Sequence, residues 1–487
     1  MKPKAPKPLP TALLVLSLVL NTPGHAGVSG DELPNIGDST GALITPAQEQ
    51  ALGRAFMRSV RQQARLVDDP DIEGYVVQLG QRLAANSDSP GYPFAFFVVD
   101  DPTINAFAGP GGYIGVHTGL LLAARNESEL AGVLAHEIAH VTQRHLLRAY
   151  EATQRMSLPT AAAMIAAILL GAATSSDAGI AAATAIQAGS IQRQLNFTRA
   201  NEKEADRIGI QILARTGVDP YGMPGFFERL QATTRLYGSR MPEFLSTHPV
   251  TTSRIAESLA RAEQYGHQGR RDSLTFQLVR ARLKVLGSSD PARTLKEFEA
   301  LANKKDAPPQ ARYGLALALA RNGDAGRARR LLQALLRSDP DRIIYRTSLA
   351  ELDIDDGRPR QGLKRLADTL KLYPGDITVS RYYVRALLRN GQAEQARSLV
   401  LDLLKKQPRD TPALYRLLAQ AASATNRPWE TRAATAEIYY MRGQTHAAIS
   451  QLKQALGYKQ LDYYERARLE ARLNQFSREA GDDKEAH

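Results

Sequence analysis

Three glycines, Gly323, Gly357 and Gly391, stand 34 residues apart, and so do three prolines, Pro340, Pro374 and Pro408. Ala328, Gly362 and Ala396 keep the same period, as do Ala316, Ala350 and Val384. A single globular core has no reason to repeat at fixed spacing, whereas a stack of similar helical hairpins does. In such a unit the glycine takes the turn between two helices, the small residues let the pair approach, and the proline ends the second helix. One unit cannot bury its apolar face alone, so neighbours must stack against it. The spacing predicts an α-solenoid over 274–487 with four or more helix pairs. Flanking copies are degenerate: Pro291 lies near an earlier phase, and "MRGQTHAAISQLKQAL", 441–456, repeats the turn and helix out of register. The stretch 425–440 reads as an irregular insert.

A 34-residue helix–turn–helix unit resembles the tetratricopeptide repeat. What precedes it has another character. The first residues carry Lys2, Lys4 and Lys7, then a short apolar run, "ALLVLSLVL", and a small-residue end, "NTPGHA". This predicts a cleaved secretory signal over 1–26 and hence export to the periplasm. The run is too short for a membrane anchor, which takes about 20 residues. The chain has no Cys, which excludes disulfides and a lipid-bearing Cys. Its net charge of +12 falls to +9 once the three leader lysines are removed. That excess favours anionic surfaces, including peripheral membrane contact, while export argues against nucleic acid.

The region 27–266 reads as one domain, with "HQGRRDS", 267–273, as its linker to the repeats. Helices are predicted over 46–67, 70–85, 127–152 and 195–216, with strands at 93–101 and at the start of 111–124. The segment 158–190 is rich in Ala and Gly. Its apolar run is shorter than the roughly 18 residues of a membrane span. It reads either as a packed helical hairpin or as a mobile lid or membrane-touching flap over the site.

The chemistry sits in "GVLAHEIAHVTQRH", 132–145. Four residues of helix turn through about 400°, so His136 and His140 lie on one face and can share a metal. Glu137, beside the first ligand, is placed to act as general base on a water. The third ligand is not on this helix in the metzincin position, where a His ten residues past the first ligand is required and Leu146 stands instead. On a continuous helix His145 faces nearly a quarter-turn away, so it is predicted to stand behind the ligands or on the surface rather than to ligate, and His145→Ala to retain zinc.

Further along, "NEKEADRIG", 201–209, supplies Glu202 and Asp206. The combination His136, Glu137, His140, Glu202 and Asp206 resembles the gluzincin zinc endopeptidases of the CAAX prenyl protease and heat-shock membrane protease type. The resemblance implies one Zn2+ per chain, with Glu202 as third ligand and Asp206 as a proton donor or as the group that fixes His136. Glu204 points off that face and reads as a solvated charge. "NAFAGPGGYIGVHTGLL", 105–121, is similar to the family's edge-strand segment, although Gly109 stands where an apolar side chain is usual. A strand at 112–116 is then either a surface for pairing with a substrate backbone or a core strand; His117 reads as structural. "THPVTTSRI", 247–255, also matches. It offers His248 either as stabiliser of the oxyanion or as a resting cap on the zinc, with Arg254 on the helix that follows.

The implied fold is mainly α: a gluzincin-type protease domain, helical with a small β-sheet, followed by a tetratricopeptide α-solenoid. Leader, absent membrane spans and repeats together resemble a periplasmic branch of the family. That branch degrades misfolded or stalled outer-membrane proteins and assists their assembly, its repeats docking the barrel-assembly machinery. The rival reading is a chaperone or scaffold that works mainly through the repeats.

Overall fold

The computed structural model describes residues 44–151, 158–170, 199–237, 243–406 and 411–485. The leader over 1–26, the segment 27–43 and the second half of the apolar segment, 171–190, lie outside the described residues.

Helix α1 (Pro46–Gln63) opens on a capping box, in which the Gln48 N–H donates to Thr45 Oγ1 at 3.2 Å and the Thr45 N–H to Gln48 Oε1 at 2.8 Å. Helix α2 (Pro70–Ala84) starts behind Asp69, whose carboxylate accepts from the N–H groups of Asp71 and Ile72. A three-stranded sheet follows: β1 (Ala95–Val99), β2 (Ala106–Ala108) and β3 (Tyr113–His117) in the order β1-β3-β2. Strand β3 is parallel to β1 and antiparallel to β2, with Phe107 opposite Gly115. The strand predicted over 112–116 therefore occupies the middle of the sheet, buried throughout, and the free edge belongs to β2. Gly109 departs from the expected apolar residue because Phe56 fills the space: a Cβ there would meet its ring at 2.3 Å.

After α3 (Thr118–Ala123), helix α4 (Glu127–Thr142) runs through the centre of the molecule. Every residue from Glu127 to His140 is buried, the condition of a helix surrounded on all sides. The helix predicted over 127–152 is two helices. Arg144 takes a left-handed conformation (φ 55°) and breaks it, and α5 (His145–Glu151) starts in a new direction. Helix α6 (Leu158–Leu169) buries Ala162, Ile165 and Leu169 in a cluster shared with α1, the packed form for this half of the apolar segment.

Helices α7 (Arg199–Thr216), α8 (Gly222–Tyr237), α9 (Glu243–Thr247) and α10 (Thr252–Tyr265) surround α4. Two glycines let them close in. A Cβ on Gly132 would meet the Met223 backbone at 2.8 Å, and one on Gly209 would lie 3.2 Å from the His136 backbone nitrogen. That approach brings the first turns of α7 against the middle of α4.

Twelve described helices follow, as six pairs: α11 (Leu274–Leu286) with α12 (Pro291–Ala302), α13 (Pro309–Arg321) with α14 (Ala325–Ser338), α15 (Ile343–Asp355) with α16 (Pro359–Leu372), α17 (Ile377–Arg389) with α18 (Ala393–Lys406), α19 (Pro412–Ala424) with α20 (Pro428–Met441), and α21 (Thr445–Leu456) with α22 (Tyr463–Glu485). Gly323, Gly357 and Gly391 all have φ between 72° and 87° in the turns of three successive pairs. The stretch read as an irregular insert is the regular helix α20. Its turn was disguised because Asn426 (φ 55°), not glycine, takes the left-handed position. Asn tolerates that conformation better than other non-glycine residues.

The linker 267–273 is anchored on the end of α4. Asp272 Oδ1 accepts the Glu127 N–H at 3.0 Å, the Arg271 carbonyl accepts the Ser128 N–H at 3.0 Å, and Arg270 and Ser273 bond the Glu127 carboxylate. These contacts fill the donors that a helix start leaves open. One apolar cluster runs from Ile72 through Leu134 and Phe276 to Leu352, so the first repeats share the core of the preceding region. Helices α11, α17 and α19 also bring Arg282, Arg381, Arg385 and Arg416 onto Asp68, Asp69 and Glu73 at the α1–α2 corner.

Candidate metal centre

His136 and His140 project from consecutive turns of α4 with ring centroids 4.6 Å apart, and both are fully buried. Glu202, in the first turn of α7, closes on them: its Oε2 lies 3.5 Å from His136 Nε2 and its Oε1 3.4 Å from His140 Nε2. His248, at the end of α9, completes the group, with Nδ1 3.0 Å from Glu202 Oε1 and 3.4 Å from His136 Nε2. The four side chains offer ligand atoms all within 4.8 Å of one another, every one buried. Four donors at metal–ligand distances of about 2.1 Å around a tetrahedral ion stand roughly 3.4 Å apart. The spacings here match that figure, and imidazole with carboxylate is a donor set that suits zinc, so the residues fit such an ion.

Asp206 lies one turn beyond Glu202, with Oδ1 2.9 Å from His136 Nδ1. Arg254, from α10, grips Asp206 with two donors at 2.8 Å and reaches Glu202 Oε2 at 2.6 Å. Burial opposes charge on all these groups, but the neighbours win at several. Asp206 and Glu202 lift His136 to about 9 against its burial. Glu202 stays well below the usual carboxylate range because His248 and the two other imidazoles outweigh its own burial. Asp206 is held low by Arg254 and His136. Burial pulls His140 well down, which keeps its ring neutral and able to donate a lone pair.

Glu137 stands apart. It is fully buried, and its nearest polar groups are the Ala108 backbone N–H and His248, neither held in a close hydrogen bond. Burial raises its affinity for a proton, against the pull of His248 and His136. His248 Nε2 is 3.5 Å from Glu137 Oε1, so His248 lies between the base and the other donors. Phe227 and Phe244 wall the cluster on the α8–α9 side, with Phe244 5.0 Å from the His248 ring.

The outer edge of β2 faces α4. Asn105 and Gly109 bond His117 and Tyr113 of β3, which leaves the backbone groups of Ala106 and Ala108 directed away from the sheet. His117, with Nδ1 2.8 Å from Thr103 Oγ1, lies outside the cluster, as expected of a structural residue.

Sequence reasoning missed two features. Arg254 was matched by motif, but the grip on both acids was not foreseen; a buried pair of carboxylates is itself the signal for such a cation. The other is His145, only 1% exposed, whose Nδ1 lies 2.9 Å from His140 Nδ1 while its Nε2 lies 3.1 Å from Glu204 Oε2. Glu204, read as a solvated charge, is only partly exposed and pairs with His145 and Arg207. Helical phase leaves His145 outside the ligand group, but it could not show the ring's contact with His140, because α4 ends before Arg144.

Residues 70–262 match peptidase family M48, and residues 353–421 match the tetratricopeptide repeat. The beta-barrel assembly-enhancing protease of Escherichia coli (strain K12) is 37% identical over 92% of this chain and 91% of its own length. The putative beta-barrel assembly-enhancing protease of Vibrio cholerae is 38% identical over 91% of this chain and 92% of its own. A more distant relative, the mitochondrial metalloendopeptidase OMA1 of Schizosaccharomyces pombe, is 33% identical over 37% of this chain and 50% of its own. With protease region and repeats matched together along nearly the whole length, this chain belongs to the beta-barrel assembly-enhancing proteases, metalloendopeptidases of peptidase family M48.

Proposed function

We propose that the chain is a zinc endopeptidase of the periplasm that degrades misfolded or stalled outer-membrane proteins and assists their assembly. In this reading 1–26 is a cleaved leader, 27–266 the protease domain and 274–487 the repeat domain. The observation that carries it is the buried group His136, His140, Glu202 and His248 beside the buried carboxylate of Glu137. No described helix is long and apolar enough to cross a membrane.

His136, His140 and Glu202 would hold one zinc ion, which when bound would supply Lewis-acid polarisation of the scissile carbonyl and a water acidic near neutral pH. Asp206 keeps the His136 proton on Nδ1, so that Nε2 presents its lone pair. Glu137 takes the proton of the attacking water and returns it to the departing amine. The substrate backbone lies along β2, pairing with the outward groups of Ala106 and Ala108, a mode indifferent to side-chain sequence and suited to unfolded chains. His248 acts at the fourth position. Its closeness to Glu202 and Glu137 supports the resting-cap role, in which it must swing out before substrate enters; the oxyanion role needs a moved His248. His248→Ala separates them: faster cleavage supports the cap, lost cleavage the oxyanion role, and unchanged cleavage overturns both.

The repeats dock substrates or the barrel-assembly machinery. The test of the whole reading is Glu137→Gln, which should bind one zinc and cleave no casein. Complementation of a strain lacking the protein decides between protease and scaffold. Full rescue of barrel assembly by Glu137→Gln supports a chaperone or scaffold acting mainly through the repeats, and no rescue supports proteolysis.

A further inference from the structure

The two histidines of α4 are held from behind by different devices. His136 has a carboxylate, Asp206, 2.9 Å from its Nδ1. His140 has another imidazole: His145 Nδ1 lies 2.9 Å from His140 Nδ1. A nitrogen pair at that distance has room for one proton between them. If His145 supplies it, the His140 proton moves to Nε2, where it blocks the lone pair directed at Glu202, His136 and the metal position. If His140 supplies it, His145 Nδ1 is the acceptor and the His145 proton sits on Nε2. There an acceptor is waiting: Glu204 Oε2 at 3.1 Å, in the second turn of α7, with Arg207 3.8 Å from its other oxygen.

We infer that His145 and Glu204 form a positioning relay. His140 Nδ1–H donates to His145 Nδ1, His145 Nε2–H donates to Glu204, and the chain of donors fixes His140 in its metal-binding tautomer and orientation. The inference rests on the metal reading above and adds two residues to it. The fold builds the relay deliberately. Arg144 in its left-handed conformation ends α4 two residues after Thr142, and this turns His145 back beneath His140 rather than letting it follow the helix. Glu204 comes from α7, two residues past Glu202, so one turn of that helix feeds both the ligand and the far end of the relay. His145 is buried while Glu204 is 36% exposed on its side chain, so the relay runs from the metal centre outward. On this account His145→Ala does not behave as the continuous-helix argument predicts.

The experiment uses full-length protein and zinc affinity by chelator competition, with casein cleavage read separately. Loss of the partner of a ligating imidazole typically weakens metal about 10–100-fold. We expect that loss for His145→Ala and a smaller, several-fold loss for Glu204→Gln, which removes the charge and keeps the shape. His145→Asn, whose amide oxygen can accept from His140, should recover most of the affinity, a rescue that a purely space-filling role would not give. Long-range proton–nitrogen spectra of imidazole-labelled wild type should show His145 protonated on Nε2 alone. Wild-type zinc affinity in both His145→Ala and Glu204→Gln, or a His145 proton on Nδ1, overturns the relay while leaving the metal centre standing. Wild-type protein that binds no zinc at all would instead remove the metal reading on which it rests.

Discussion

At the metal centre Glu202 and Asp206 face Arg254 and the imidazoles of His136, His140 and His248; at the α1–α2 corner Asp69, Asp71 and Glu351 all converge on Arg282. Both clusters bury several carboxylates around one guanidinium, yet at the corner one acid directly on the guanidinium is pushed up. Glu202 and Asp206 stay low despite their burial. Asp69 is also held low, because Arg282 and the Ile72 N–H overcome its burial. Asp71, fully buried with the leftover share of Arg282 and with Asp69 beside it, is pushed up to about 7. One cation cannot hold three acids at their ordinary values in a dry site, and burial raises Glu351 along with Asp71. At the centre Glu202 and Asp206 both stay charged because three imidazoles and Arg254 share them, whereas at the joint Arg282 alone serves three acids.

The largest expected contrast comes from removing the cation at the centre. Arg254→Met leaves Asp206 and Glu202 buried without their partner and should cost the apo protein about 3–5 kcal/mol in denaturant unfolding. A loss below about 1 kcal/mol would mean that the imidazoles, not Arg254, hold the acids. The joint should show a pH effect of moderate size. Asp71 has a folded value above its unfolded one, so its contribution is complete at low pH and is lost as pH rises through about 7. Between pH 6 and 8 this amounts to about 1.4 kcal/mol of stability lost on raising the pH, and Asp71→Asn should remove that slope. An unchanged slope in Asp71→Asn would assign the titration elsewhere. Asp206 runs the other way: its stabilisation is present above the ordinary aspartate range and is lost only as pH falls through its lowered value. The smallest effect belongs to Glu351, whose side chain is 36% exposed and so repels Asp71 weakly. Glu351→Gln should shift the midpoint of the Asp71 slope down by a fraction of a pH unit, seen in the same melts.

The two regions also differ in how far they could be read in advance. Helical phase puts His136, Glu137 and His140 side by side, the family resemblance supplies Glu202 and Asp206, and all five meet at one buried cluster. The 34-residue period located the repeats, and it failed at Asn426 only because another residue can take glycine's conformation. His145 and Glu204 were hidden by a single left-handed residue, Arg144, which no periodicity reveals. The joint was invisible altogether. Asp68 and Glu73 meet Arg381, Arg385 and Arg416 across some 300 residues of sequence, and nothing in the local pattern "LVDDPDIEG" distinguishes a gripped acidic corner from a solvated one. The shared apolar core across the linker was likewise beyond a reading that looked for separate domains.

The central claim is that His136, His140 and Glu202 close one metal site across two helices that are far apart in sequence. Its most direct test is the zinc content of purified full-length protein and of Glu202→Gln, measured by mass spectrometry after dialysis against a weak chelator. The account predicts one zinc per chain in the first and almost none in the second, with casein cleavage lost in parallel. A Glu202→Gln protein that keeps a full equivalent of zinc and cleaves casein at the wild-type rate would contradict it.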